Sequence, residues 1–503
     1  MSKNKSQSDI KSGILSPFAW KKNSRSIRVL SFGLITLTAI IIRLYISFSH
    51  HLILGVDGGY YPLQVRNILN TGLLGFNDVP LYFYFCAFIV KSLSMMGLTV
   101  SNEIIITVVK IVDSVALPLL AIPMFKMVFR KEQNIPLFAV FALLLFAILS
   151  FTPFMILGDL QKNAFAFPFA FIFMLCLEEF IANTDKRNLL AVFISLTMIA
   201  LSHFGVFTFC LVFLILALFM IYRGKAILPS ALAILIGYVL VVLFDHNRAF
   251  RLITFWNVIF ERSALLQGPL PFPVLLNLIF SCFLAIFGIF QFRKFKGNAD
   301  KVTKTIVPSL IVAIFIFAFP FYEMQYVQRF NVLLLVPQIL LVLNLIRMNP
   351  KLAFPLSISL VLLTTLSIFM YSSEEKKPVM DDMAFQDLQN ISKYLPENKE
   401  NSIIIATHGL EFWTSLALNV RVGQDRAKDK IGLDKYSNVI FLQQKNEERQ
   451  GSLGRKPFRR PKIGEGGHPP MGPGMGPQMR LQVPENFKLI YSSLYFNAYQ
   501  KLN

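Results

Sequence analysis

The sequence predicts a polytopic α-helical membrane protein of about eleven spans, ending in a small C-terminal extracytoplasmic α/β domain. Three observations carry that expectation. The chain is 54% hydrophobic and only 16% charged, against roughly 25% charged for an ordinary soluble domain. Its apolar stretches recur at about the 20-residue length that a bilayer-crossing helix needs. After residue 372 the pattern changes, and amphipathic and alternating segments replace the long apolar runs.

The net charge of +20 is informative through its placement. Lys and Arg cluster between apolar segments, as cytoplasmic loops require, so the excess reads as topology and no nucleic acid is expected as a partner. Residues 1–28 hold seven Lys/Arg against one Asp, which predicts a cytoplasmic basic tail. That tail is too long and polar for a secretory signal. The expected location is the cell (plasma) membrane, multi-pass, with the N-terminus cytoplasmic and the C-terminal domain outside. Cys86, Cys176, Cys210 and Cys282 all lie in apolar segments and read as small buried hydrophobes rather than a disulfide or metal set.

The membrane domain is expected over 29–372. Span one covers 29–48 and carries Arg43 near its outer end, where the side chain either snorkels to the interface or faces a cavity. The outer loop 49–103 follows and contains Gly55-Val-Asp-Gly-Gly-Tyr-Tyr-Pro62. Counting 81–98 as a span would put Lys126, Arg130 and Lys131 outside, so it reads as a juxtamembrane or re-entrant helix. Span two, 104–128, places Lys110 and Asp113 three residues apart and predicts a buried pair, since each charge alone is costly in lipid. Spans three and four, 135–152 and 164–182, flank an outer loop with Gly158-Asp-Leu-Gln-Lys-Asn163. Spans five and six, 189–201 and 204–222, turn outside at Leu201-Ser-His-Phe204. Span seven is 226–244, and an outer loop to Pro271 holds Arg248, Arg251, Glu261 and Arg262. Spans eight to eleven are 273–291, 305–321, 329–346 and 353–371.

The region 373–503 predicts a short amphipathic helix in 383–396, strands at 402–406 and 439–442, and two more strands within 487–499. An insertion at about 445–482 is basic and then Pro/Gly-rich, which reads as a flexible loop; contact with anionic lipid or substrate is the alternative.

Polar residues expected at one outer membrane depth form the candidate site. Asp57 can accept a proton from an attacking hydroxyl or ligate a divalent cation, and Asp159 in the next loop can share a metal or orient the acceptor. Asp57 and Asp159 are therefore both the catalytic and the metal candidates, with Mg or Mn as the cation; metal-independent catalysis stays open. Arg329 offers fixed N–H donors for a lipid-linked phosphate, Tyr60 and Tyr61 can stack on a sugar, and His203, Tyr326 and Arg43 complete the substrate-binding set. Each has a plainer reading. Asp57 before two glycines suits a turn, Asp159 a helix cap, His203 a hydrogen-bonded turn, and Arg329 an interface anchor.

With these residues in place the chain resembles the GT-C superfamily of integral membrane glycosyltransferases, which includes oligosaccharyltransferase catalytic subunits, protein O-mannosyltransferases and the enzyme that transfers aminoarabinose to lipid A. The resemblance rests on a large first outer loop with an acidic residue soon after span one, here Asp57, and on Pro80-Leu-Tyr-Phe-Tyr-Phe85 after it. Asp159, His203 and Arg329 fall where members carry polar groups at the outer face. It implies transfer of a sugar from a polyprenyl-phosphate-linked donor, in the lipid bilayer, to a glycan, lipid or protein acceptor. Gln161 stands where oligosaccharyltransferases have a second acidic residue, and their Trp-Trp-Asp-Tyr-Gly motif is absent; His408-Gly-Leu-Glu-Phe-Trp413 is only loosely similar. The resemblance therefore points to transfer of a single sugar. A transporter would be expected to show inverted repeats with broken helices, and none is evident. A non-catalytic membrane scaffold would tolerate changes at Asp57 and Asp159.

Overall fold

The computed structural model describes residues 25–129, 135–222, 225, 227–244, 259–260, 263–373, 376–396, 399, 401–424, 432–445, 481 and 483–501. The basic tail to residue 24, Arg130 and Lys131, the Arg248, Arg251, Glu261 and Arg262 positions, and the insertion between Lys445 and Leu481 lie outside them.

Helix α1 (Arg25–Phe48) leads to two shorter helices, α2 (Tyr60–Thr71) and α3 (Leu81–Met95). Then α4 (Asn102–Ala116) tightens into a 3-10 turn at Leu117–Leu120, where Pro118 withholds a backbone donor, and continues as α5 (Ala121–Phe129). The bundle proceeds through α6 (Leu137–Leu149), α7 (Phe151–Ile156), α8 (Gln161–Ala182), α9 (Lys186–Ser202), α10 (Phe204–Tyr222) and α11 (Ile227–Phe244). It closes with α12 (Phe272–Phe295), α13 (Lys301–Phe317), α14 (Met324–Leu333), α15 (Leu335–Met348) and α16 (Ala353–Ser373).

Among the described residues, eight helices are long and apolar enough to cross a membrane, or nine when α14 and α15, bent by 42°, count as one. The chain is thus a multi-pass membrane protein. Eleven spans were expected; the difference lies in α9 and α13. Each has 17 residues, about 25 Å of helix; α9 packs on α8 with Leu190 and Ile194 exposed, and α13 packs on α10, α12 and α15. Helix α3 is 15 residues, about 22 Å, short of the roughly 30 Å hydrocarbon core.

Burial sorts the helices. In α15 every residue from Leu335 to Ile346 is buried, and α8 buries Phe167, Phe171 and Phe173. Helix α11 instead exposes Ile227, Leu228, Leu232 and Leu235; a lipid-facing helix does this at no cost, because hydrocarbon is its solvent. The expected Lys110–Asp113 pair does not form. Lys110 Nζ reaches out to the carbonyls of His50 and His51, at 2.6 and 2.7 Å. Asp113 faces the interior and meets Arg43 instead, 3.7 Å away. A lysine one turn nearer the helix end has interface carbonyls within reach, whereas the deeper carboxylate needs a partner in the bundle.

After α16 come α17 (Asp382–Asn390), β1 (Ser402–Ala406), α18 (Leu410–Leu418), β2 (Arg421–Gln424), β3 (Asn438–Gln444), β4 (Phe487–Ser492) and β5 (Phe496–Lys501). The sheet order is β2-β1-β3-β5-β4. Strand β5 runs antiparallel to β3 and β4, and interior β1 is parallel to both its neighbours. Its Ser-Ile-Ile-Ile-Ala sequence is buried at every residue, as a strand covered on both faces must be. One apolar core joins this domain to the membrane domain: Trp413, Phe385 and Ile404 belong to the same buried cluster as Leu52, Tyr61, Tyr82 and Val109. Helix α18 packs directly on α2, and Arg66 of α2 donates to the carbonyls of Ser415 and Leu416 at the end of α18.

Candidate active site

Two loops and a linker meet beneath the sheet domain. The loop between α1 and α2 carries Asp57, the loop between α7 and α8 carries Asp159, and the linker after α16 carries Lys376. The loop before α2 is pinned to the linker, with Gly55 N donating to Lys377 O at 3.1 Å. It is pinned to the second loop as well. Asp57 N donates to Asp159 Oδ1 at 3.0 Å, and the Tyr61 hydroxyl donates to Asp159 O at 2.7 Å.

Gly55 is what permits this contact. Its φ is +85°, and a Cβ there would lie 1.9 Å from Asp159 Oδ1. Gly55→Ala is therefore expected to combine left-handed backbone strain of about 1–3 kcal/mol with expulsion of the Asp159 carboxylate. A lowered unfolding midpoint in detergent, by fluorescence, checks it; an unchanged midpoint would count against the loop geometry.

Asp159 is fully engaged. Its Oδ2 pairs with Lys376 Nζ at 2.9 Å, and the same ammonium donates to the carbonyls of Met155 and Leu157. Helix α8 starts without a side-chain cap, so the carboxylate serves the Asp57 loop and not the helix. Beneath it, Gly158 N donates to Asp113 Oδ2 at 2.7 Å. Arg43, fully buried, holds Asp113 and also donates to the carbonyls of Pro153 and Asp113 at 2.7 and 3.1 Å. A connected polar chain thus runs from α1 through α4 to the Asp159 loop and on to Asp57.

Asp57 differs from Asp159 in that its carboxylate is not tied down. The side chain is 40% exposed, and Oδ1 stands 3.8 Å from His408 Nε2. Its pKa is pushed up to about 6, first by burial against protein and next by the negative Asp159 nearby, with His408 and Lys162 opposing. A carboxylate poised near neutrality and reachable from solvent has the properties of a general base.

A second polar layer borders it. The Tyr60 hydroxyl donates to Asp78 Oδ2 at 2.6 Å, Lys162 pairs with the same oxygen, and the Lys162 ammonium lies 5.6 Å from the ring centres of Tyr60 and Phe83. Gln64 accepts from Gly75 N and Phe76 N, which fixes the loop leading to Asp78. Tyr61 is buried; burial, and then Asp57, raise its hydroxyl well above the usual pKa. It acts as a neutral donor that positions Asp159.

The structure brings together Asp57, Asp159, Tyr60 and Tyr61, with Arg43 behind them. The other predicted residues lie on other elements. His203 lies in the α9–α10 turn, where Nδ1 accepts from Val206 N at 3.2 Å, and its neighbour Phe204 lines a shallow apolar groove with Val79. Tyr326 and Arg329 lie on α14, Tyr326 half-buried and Arg329 exposed. That helix packs against α7, which leads to Asp159. Sequence reasoning did not single out Lys162, Asp78, Lys376, His408 or Glu411. Lys376 had the look of a topology charge after the last span. The His-x-x-Glu spacing directly after the β1 strand was the available signal for the other pair.

Among the described residues no group of three or more His, Cys, Asp or Glu is arranged to hold a metal. Both Asp159 oxygens already have partners, one of them a lysine.

No protein-family model and no curated protein matches the chain. Among solved structures, the crystal structure of ArnT from Cupriavidus metallidurans in the apo state is similar, with a TM-score of 0.51 and 12% sequence identity, over 95% of this chain and 98% of that one. The helical bundle with its small C-terminal β/α extension shares the fold of that structure.

Proposed function

We propose that the chain is a glycosyltransferase that moves a sugar from a polyprenyl-phosphate donor to an acceptor at the outer membrane face. The observation that carries this reading is Asp57: a half-exposed carboxylate with a raised pKa, held by its backbone on Asp159, on a fold shared with ArnT. In the proposed orientation the N-terminus is cytoplasmic, so this loop cluster and the sheet domain lie outside.

The chemistry is a displacement at the anomeric carbon. The acceptor O–H attacks, its proton passes to an Asp57 oxygen, and the bond from the anomeric carbon to the phosphate oxygen breaks with its electron pair leaving on phosphate. Polyprenyl phosphate and the glycosylated acceptor are the products. Lys162, whose charge Asp57 senses, supplies a positive group that favours the departing phosphate. Tyr60, beside Lys162, is the proposed sugar contact.

The base must be ionised, so the rate is expected to rise about tenfold per pH unit below the Asp57 pKa and to level off above it. A kcat/KM profile with an acid limb near pH 6 is the test, and a profile flat from pH 5 to 8 would contradict the assignment. Because Lys376 pairs with Asp159 and the Lys162 charge acts on Asp57, turnover is expected to survive a chelator. Loss of activity on chelation, restored by Mg or Mn, would instead put a cation in the step.

A further inference from the structure

We propose that His408 and Glu411, delivered by the sheet domain, form a proton-exit dyad that takes the proton from Asp57 and releases it to water. This rests on Asp57 acting as the base.

The geometry is a short relay. His408 sits in the turn between β1 and α18, its Nε2 facing Asp57 Oδ1 at 3.8 Å while Nδ1 meets Glu411 Oε1 at 3.0 Å. Glu411 is 5% exposed in its side chain. Gln424 Nε2 of β2 also donates to Oε1 at 3.2 Å, and Oε2 is buried with no hydrogen-bond partner among the described residues. A buried carboxylate placed so fixes the neutral imidazole with its proton on Nδ1, which leaves the Nε2 lone pair aimed at Asp57. The groups facing Asp57 are Asp159, His408, Lys162 and Glu411, with the Tyr60 and Tyr61 rings beside them. The imidazole stands between Asp57 and Glu411 and is 44% exposed, so it opens to solvent.

The steps balance. The acceptor proton on Asp57 moves to His408 Nε2, giving an imidazolium between two carboxylates, and Nε2–H then gives that proton to water. Asp57 is again a carboxylate, and one proton is released per sugar transferred. The 3.8 Å gap must tighten by about 1 Å for direct transfer, as such contacts do when substrate binds.

The test uses the full-length protein in lipid nanodiscs with ¹⁵N-labelled imidazole, the His408 signal among six histidines being assigned with His408→Gln. The expected result is an Nδ1–H tautomer above the titration midpoint, and a midpoint that falls by about half a unit or more in Asp57→Asn and in Glu411→Gln. An Nε2–H tautomer, or a midpoint unmoved by Asp57→Asn, overturns the dyad. Hydrolysis of labelled polyprenyl-phosphate sugars, water standing as acceptor, gives the second readout. His408→Gln is expected to lower kcat at least tenfold with KM unchanged and to be rescued by added imidazole. A raised KM without rescue would mean that His408 binds donor and relays nothing. Full activity in His408→Gln, with Asp57→Asn inactive, would sink the dyad alone. Activity in Asp57→Asn would sink the reading of Asp57 as base, while the tautomer remains separately measurable.

Discussion

Asp57→Asn is expected to lower sugar transfer by about 10²–10⁴-fold, the range set by loss of a positioned general base, and to leave the protein folded. The amide keeps the size of the side chain, and the backbone N–H that donates to Asp159 is untouched. What is lost is the proton acceptor. Stability separates this from damage. The folded-state pKa of Asp57 is raised from 3.8 to about 6, so its favourable contribution is complete below the unfolded value and is lost as pH rises through 6. Above that, the folded protein holds a charge it disfavours. The Asn variant should therefore unfold at the same temperature as the parent or higher at pH 7–8, with the difference shrinking toward pH 4. A clearly lower midpoint at pH 8 would show that the carboxylate is structural.

Asp113→Leu is expected to have the largest effect on stability, a loss of about 3–5 kcal/mol, because it strands the Arg43 guanidinium inside the bundle. Arg43 is fully buried, and Asp113 is the carboxylate beside it. The substitution also removes the acceptor for Gly158 N, so the Asp159 loop loses its footing and activity falls with stability. Pairing the change with Arg43→Met should recover a large part of the stability, since an apolar pair of similar volume suits this site. Activity should recover less, because Gly158 N stays unanswered. Denaturant-driven unfolding of the single and double variants measures this; a double variant no more stable than Asp113→Leu would count against the buried pair.

Long apolar runs announce themselves in a sequence, and so the helices of the bundle were legible with their approximate limits. The same holds for β1, β3 and the β4–β5 pair. Strand β2 was not, because Arg-Val-Gly-Gln has neither an apolar run nor clean alternation; its pairing with β1 makes it a strand. Helix α2 was likewise hidden behind glycines and Pro62, although proline is well tolerated in a first helical turn. Within the site, Asp57 and Asp159 were legible because charges are rare near membrane segments. Their unlike roles were not. Only the packing shows that Asp159 is held by Lys376 and Asp57 N while Asp57 stays open, and that His408, 351 positions further on, closes the site. The Arg43–Asp113 pair was misassigned to Lys110 because spacing along one helix says nothing of which neighbouring helix faces it.

Transfer of labelled sugar from a panel of polyprenyl-phosphate donors by the purified wild-type protein in lipid vesicles, beside Asp57→Asn, tests the central claim most directly. Lipid-dependent turnover of at least one donor, absent in the variant, is the predicted result. Folded wild-type protein that neither binds nor turns over any donor, or a variant that transfers at the parental rate, would contradict it.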